Sequence, residues 1–198
     1  MILIIGAGIA GLSLGWELAK AGIAVTIVEA KDIANGASGV ATSYLEPRLG
    51  ETAMRRLEGK ALRQWPDWAA ELEEATGEKV GFNDGGQLKV TLPENLKRFE
   101  KDLKQRKAEN QTFDLLSTNE IRKLEPSLSD GLVGGVFLPD TSWVDGLKVC
   151  HALAKAIIKL GGEIKTHWPV ERIDVTSGSA KLISENGEVL EGEVVVLA

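Results

Sequence analysis

Residues 2–11, ILIIGAGIAG, constrain the fold more than any other segment of the chain. Ile2 to Ile5 form a short apolar run ending at a glycine, the pattern of a strand buried on both faces of a parallel sheet. Gly6, Gly8 and Gly11 follow in G-x-G-x-x-G spacing. From Ile9 the apolar residues Ile9, Leu12, Trp16 and Ala19 recur at helical intervals, and Gly22 suits a helix C-terminus. AVTIVEA (24–30) then reads as a second strand. A strand, a crossover helix and a parallel strand make a βαβ unit of about thirty residues.

Each glycine has a physical task in such a unit. Gly6 allows the tight turn off the strand, Gly8 lets a pyrophosphate approach the backbone, and Gly11 lets the helix lie close to the sheet. The helix N-terminus adds unpaired N–H groups and the positive end of a dipole. Glu29 ends the second strand, where a carboxylate can accept hydrogen bonds from a ribose diol. An acid at this place argues against a 2′-phosphate, while the spacing leaves NAD and FAD both open.

A second feature is NGASGVATSYLEPR (35–48), which packs Gly36, Ala37, Ser38, Gly39, Ala41, Thr42 and Ser43 together. Polarity alone would suffice for a surface loop, so this run of small side chains implies a close approach to the backbone. Residues 50–76 read as an amphipathic helix with Met54, Leu57, Ala61, Trp65, Trp68 and Leu72 on one face and a kink or break at Pro66. Trp65 and Trp68 are read as packing residues.

The texture then changes. GGQLKVTL alternates like a half-exposed strand, PENLKRFEKDLKQRKAEN is a polar helix with Pro93 near its start, and FDLLS is a short strand. Ser117 and Glu120 form a capping-box pattern for a helix that stops before Pro126, and GGVFLP is another strand. At Asp145 the first texture returns. Asp145 caps a helix with Leu147, Cys150, Leu153, Ala154, Ile157, Ile158 and Leu160 on its apolar side, and EIKTHW, VERIDV, AKLIS and EVLEGEVVVLA follow as strands. The fold class expected is α/β, a Rossmann-like domain with part of an inserted α+β domain. The division expected is 1–78 and 141–198 for the first domain and 79–140 for the second. VVVLA (194–198), an apolar strand, leads to the expectation that the chain is the first part of a longer protein.

Composition narrows the function. The formal net charge is −6 and the basic residues form no block, so a nucleic-acid surface is not expected. Cys150 is the only cysteine, which excludes an intrachain disulfide and any multi-cysteine metal site; it is read as a core thiol. His151 and His167 are too few and too scattered for a metal centre and are read as surface residues. The apolar start is too short to span a membrane and lacks a basic leader, so a cytoplasmic protein is expected. Arg48 is read as a surface or helix-start residue before an anion-binding one, and Asp140 and Trp143 as turn and core.

IIGAGIAGLSLGWELAKAGIAVTIVEA, GASGVATSYLEP, WPDWAAELEEATGEKVGFNDGGQLKV and LSTNEIRKLEPSLSDGLVGGVFLPDTSWVDGLKVCHALAKAIIKLGGEI resemble the FAD-dependent amine and amino-acid oxidases of the D-amino-acid oxidase type. Within that family they are most similar to the glycine oxidases of thiamine biosynthesis. The resemblance implies FAD as cofactor, a small amine or amino acid as substrate, and oxygen or another electron acceptor. It implies that Gly6, Gly8, Ile9, Ala10 and Gly11 lie against the pyrophosphate, with Glu29 and Ala30 at the adenosine ribose. Ala37 and Ser38 would touch the pyrophosphate region, Thr42, Ser43 and Tyr44 would pass the flavin ring, and the backbone of Val170 would meet the adenine. Tyr44 departs from the slimmer, non-aromatic residue more usual in glycine oxidases. The family's carboxylate-binding arginine and active-site tyrosine come from later sequence, so no catalytic residue is named, and the 198 residues alone are expected to be incomplete and inactive. A flavin oxidase of a carboxymethylated tRNA wobble base, a D-amino-acid dehydrogenase and a non-catalytic FAD-binding fragment are the alternatives. No nucleic-acid or membrane partner is expected, and a homo-oligomer of the complete protein is left open.

Overall fold

The structure, a computed structural model, describes residues 1–46, 49–50 and 52–198. It divides into two compact units, one of Met1–Ser43, Asp67–Gly81 and Asp145–Ala198, the other of Tyr44–Pro66 and Phe82–Val144. The expected division at 78 and 140 thus lies a few residues from the breaks at 81 and 144. Residues 44–66, read from the sequence with the first domain, group with the second unit.

In the first unit, β1 (Ile2–Ile5), α1 (Ile9–Lys20) and β2 (Val25–Val28) form the βαβ unit read from the sequence. β1 pairs in parallel with β2, Ile2 opposite Val25, and on its other side with β12 (Val194–Leu197). β8 (Glu163–Lys165) completes a parallel sheet of order β12-β1-β2-β8. One face of this sheet carries α1 and α6 (Gly146–Lys159), where Leu12, Trp16, Leu153 and Ile157 are buried. Gly15 makes that layer thin: a Cβ there would stand 2.7 Å from Ile27 Cδ1 and 3.2 Å from Ile157 Cδ1. A second core joins Leu3 and Val28 to Trp168 and Leu182. It lies beside an antiparallel sheet of β9 (Val170–Thr176), β10 (Ser179–Ser184) and β11 (Val189–Gly192). EVLEGEVVVLA is therefore two strands in different sheets, β11 and β12, parted at Glu193, whose N–H donates to the Met1 carbonyl.

Two helical faces differ from the sequence reading. On α6 the buried set is Val149, Cys150, Ala152, Leu153, Ala154, Ala156 and Ile157, whereas Leu147 and Ile158 are exposed. At about 100° per residue those two fall more than 100° from Leu153, outside the buried stripe. Leu160, also exposed, is already the C-cap. On α3 (Ala53–Thr76) the buried residues Ala69, Leu72 and Thr76 all follow Pro66, and Met54 and Leu57 are exposed. The helix also runs unbroken through Pro66, which removes only one backbone hydrogen bond from a ladder of 24 residues. Trp65 and Trp68 are half-buried, and Trp68 meets Trp16 edge-on at 5.3 Å between centroids. Burial pushes the Cys150 thiol up to about 11, as suits a core residue.

In the second unit, β4 (Gln87–Thr91), β6 (Gly134–Leu138) and β5 (Asp114–Leu116) form an antiparallel sheet of order β4-β6-β5. α4 (Leu96–Ala108) follows a single 3-10 turn at Pro93–Asn95, and α5 (Thr118–Leu124) begins at the capping box of Ser117 and Glu120. β3 (Tyr44–Leu45) and β7 (Ser142–Trp143) pair antiparallel, Tyr44 opposite Trp143. Trp143, read as a core residue, is 41% exposed. Among the described residues no helix is long and apolar enough to cross a membrane.

Glu46 ties this unit together. Its Oε1 accepts from Lys89 Nζ on β4 at 2.5 Å and from Arg106 Nη2 on α4 at 2.7 Å, and Arg106 is buried. Burial works against the Glu46 charge, but the hydrogen bonds from Lys89 and Arg106 outweigh it and hold the carboxyl below its ordinary value. A depressed folded value stabilises above the unfolded value near 4.5, and that stabilisation is lost as pH falls through the folded value. Glu46→Gln is expected to cost on the order of 2 kcal/mol at pH 7, because it strands the Arg106 charge. The gap in melting temperature between variant and parent should shrink as thermal unfolding is followed from pH 7 down to about pH 3.

Candidate nucleotide site

The site is built where β1 turns into α1. Gly6 adopts φ +112°, a conformation that side chains rarely take, and a Cβ there would lie 2.4 Å from the Ala198 carbonyl oxygen. Gly11 sits where a Cβ would be 2.1 Å from the Gly6 carbonyl oxygen and 3.2 Å from Ile4 Cγ2. The turn and the close helix–sheet contact expected of these two glycines are thus both present. Gly8, the N-cap of α1, faces Ser38: its Cβ would stand 3.0 Å from Ser38 Oγ.

The small-residue segment folds as a single helical turn, α2 (Ala37–Val40), which the sequence reading did not anticipate. Three close contacts explain its composition. Gly39 passes the Ala34 carbonyl, where a Cβ would approach to 2.2 Å. Gly146, at the start of α6, passes Ser43 Oγ and the Ser38 carbonyl, where a Cβ would stand at 2.5 and 3.2 Å. Ser38 Oγ accepts from the Ile9 N–H at 3.0 Å. The segment is bracketed by Ala34 at φ +58° and Ser43 at φ +55°, and the Ala34 N–H donates to the Ala7 carbonyl at 2.9 Å. Much of the smallness therefore serves to seat this turn against α1 and α6.

Glu29 closes the other side. Its Oε2 accepts from the Ala7 N–H at 3.0 Å and its Oε1 from the Lys31 N–H at 2.9 Å. Each oxygen keeps a further acceptor position, so the carboxylate can take a diol while holding the glycine turn. The Trp168 N–H donates to the Glu29 carbonyl at 2.9 Å, which brings the start of β9 beside this acid. Val170 packs its side chain onto the Leu3 and Val28 cluster.

The structure therefore brings together Gly6, Gly8, Ile9, Ala10, Gly11, Glu29 and Ser38. Ala30 and Ala37 are exposed neighbours of Glu29 and Ser38 along the chain, and Thr42 is exposed on the segment that leads to Ser43. Tyr44 belongs to the second unit. There it lines a cavity of about 200 Å³ with Glu46, Leu62 and Trp65 and is 52% exposed. Arg48 lies outside the described residues. Ala7, through its N–H and carbonyl, and Gly146 were missed by sequence reasoning, because backbone roles and distant contacts leave no residue-type signal.

The group implied by a G-x-G-x-x-G turn is a dinucleotide, and the residues fit it. The N–H groups of Ala10 and Gly11 have no protein acceptor among the described residues, at the positive end of a 12-residue helix. The Ser38 hydroxyl, accepting from Ile9, retains its proton for a phosphate oxygen.

Comparison with known proteins agrees with this geometry. The whole chain, residues 1–198, matches the family described as FAD dependent oxidoreductase. It is 27% identical to a glycine oxidase of Bacillus licheniformis over 99% of the chain and 53% of that protein. It is 28% identical to a monomeric sarcosine oxidase of a Bacillus species, over 98% of the chain and 50% of that protein. The crystal structure of glycine oxidase from Geobacillus kaustophilus superposes with a TM-score of 0.90 at 26% identity, over 100% of this chain and 54% of that one. The chain spans about half the length of these relatives. It belongs to the FAD dependent oxidoreductase family, whose cofactor is FAD.

Gly11→Ala tests the close contact. Its methyl group would have to displace a backbone carbonyl, so the variant is expected to lose about 3 kcal/mol of stability in urea unfolding. Gly22→Ala, at φ +74° but with open space around it, should lose only about 1 kcal/mol.

Proposed function

We propose that this member of the FAD dependent oxidoreductase family takes part in the oxidation of a small amine or amino acid, in the manner of glycine and sarcosine oxidases. The observation that carries the reading is the cradle formed by the free Ala10 and Gly11 N–H groups, the Ser38 hydroxyl and the Glu29 carboxylate, in a chain matched along its whole length by that family. The first unit is assigned to FAD and the second to part of the substrate domain. Bound FAD supplies a hydride acceptor at N5 for the substrate α-carbon; the resulting imine hydrolyses and oxygen takes up the electrons to give peroxide.

The chain's own residues bind and orient. The N-terminus of α1 stabilises the two pyrophosphate charges, and Ser38 donates a hydrogen bond from the side. Glu29 holds the ribose diol and, through the Ala7 N–H, keeps the glycine turn in register with it. Ala30 flanks the ribose, and the Val170 backbone faces the adenine. Ala37 lies by the pyrophosphate, and Thr42, Ser43 and Tyr44 run along the flavin. Tyr44 is an aromatic wall that narrows the choice of amine. A cytoplasmic location fits a small soluble metabolite as substrate.

The complete protein that carries this chain is expected to purify with flavin absorption and to release hydrogen peroxide with glycine or sarcosine. A colourless protein that takes up no FAD would falsify the reading. Flavin-bound protein that acts on modified tRNA and not on free amines would move the substrate to the alternative oxidase.

A further inference from the structure

We propose that the first three turns of α3 carry an anion site that takes a small, multiply charged oxyanion of the phosphate or dicarboxylate class. A cavity of about 380 Å³ within the second unit is lined by Arg55, Arg56 and Arg63 of α3, by Gly50 and Gly59, and by Glu109 and Gln111 beyond α4. Its volume falls in the range of small-molecule sites.

The charges there are unequal. Three guanidinium groups and one carboxylate line it, and with Glu58, which pairs with Arg55, the local balance among the described residues is +1 in a chain of net charge −6. Arg55 is already engaged, its Nη1 donating to Glu58 Oε2 at 2.7 Å. Arg56 and Arg63 pair with no acidic group among the described residues. Glu109, the one carboxylate, is occupied. Both its oxygens accept from the Gly50 N–H, at 3.1 and 3.0 Å, and Oε1 accepts from Gln105 Nε2 at 2.8 Å. It fastens the chain at Gly50 to the end of α4 rather than neutralising the arginines. Gln111 Oε1 in turn accepts from the buried Arg106 at 2.8 Å, which fixes that wall.

Arg63 is exposed but lies along the helix surface. Its Nη1 lies 3.6 Å from the place of a Cβ on Gly59, one turn earlier, so the side chain folds back along the helix into the recess. A bulky residue at 59 would occupy that lane. Two planar forks with no acidic partner among the described residues, lining one recess, suit an oxyanion with several acceptor oxygens. A nucleic acid would instead need an extended basic track.

The test is calorimetric titration of inorganic phosphate, and in a second arm succinate, into the complete protein at low ionic strength with FAD saturating. Saturable one-site binding is expected, weakened about tenfold by Arg56→Gln or Arg63→Gln and lost in the double variant. Arg63→Lys, which keeps the charge without the fork, should fall between. Lys101→Gln, an exposed charge on α4, should change nothing. Phosphate binding tighter than succinate, or the reverse, assigns the class. Circular dichroism confirms that each variant is folded. The assignment is overturned by the absence of saturable binding below about 1 mM, by equal affinity in the double variant, or by equal loss in Lys101→Gln.

Discussion

Helix α1 can lie on the end of β1 only because residue 11 has no side chain. A Cβ would fall 2.1 Å from the Gly6 carbonyl oxygen, inside any van der Waals contact. Much follows from that approach. It seats the crossover helix close against the parallel pair of β1 and β2, at a helix N-terminus where the Ala10 and Gly11 N–H groups have no protein acceptor among the described residues. It also places Ala7 so that its N–H meets Glu29, just past the end of the neighbouring strand, at 3.0 Å. Packing and ligand recognition are here one constraint: the contact that closes the core also exposes the helix end.

The small-residue segment extends this arrangement. A flavin was the expected reason for so many small side chains. In the structure, Gly39, Gly146 and Ser38 first satisfy protein contacts, bringing a short helical turn against α1 and α6. Ser38 then stands at the helix end with its oxygen used and its proton free. The nucleotide reading sharpens as a result. In the proposed reading, the Ser38 hydroxyl is the group this segment would offer the pyrophosphate.

The sequence made local features legible. The βαβ unit, the roles of Gly6 and Gly11, the capping box at Ser117 and the Asp145 cap all rest on short-range chemistry that a residue pattern carries. What escaped was non-local. The pairing of Tyr44 with Trp143 joins segments about a hundred residues apart, and neither two-residue strand has a period to read. The exposed faces of Leu147, Ile158, Met54 and Leu57 reflect where neighbouring layers end, which hydrophobicity does not encode. At Pro66 the helix does not break, because a long helix absorbs a single missing hydrogen bond, although the division between the two units falls at that residue. At the site, Glu29 was readable from its place after a buried strand, whereas Ala7 acts through its backbone and left no trace in residue type.

Glu29 holds the glycine turn through the Ala7 N–H, and its proposed second role is to bind the ribose of FAD. The most direct measurement is a titration of the complete protein with FAD, followed by flavin fluorescence, for the parent and for Glu29→Gln. The amide loses one of the two acceptor oxygens that serve Ala7 and Lys31 and the charge that holds the diol, so FAD affinity should fall about tenfold, with an equal fall for ADP. Equal FAD affinities in parent and variant would contradict that role.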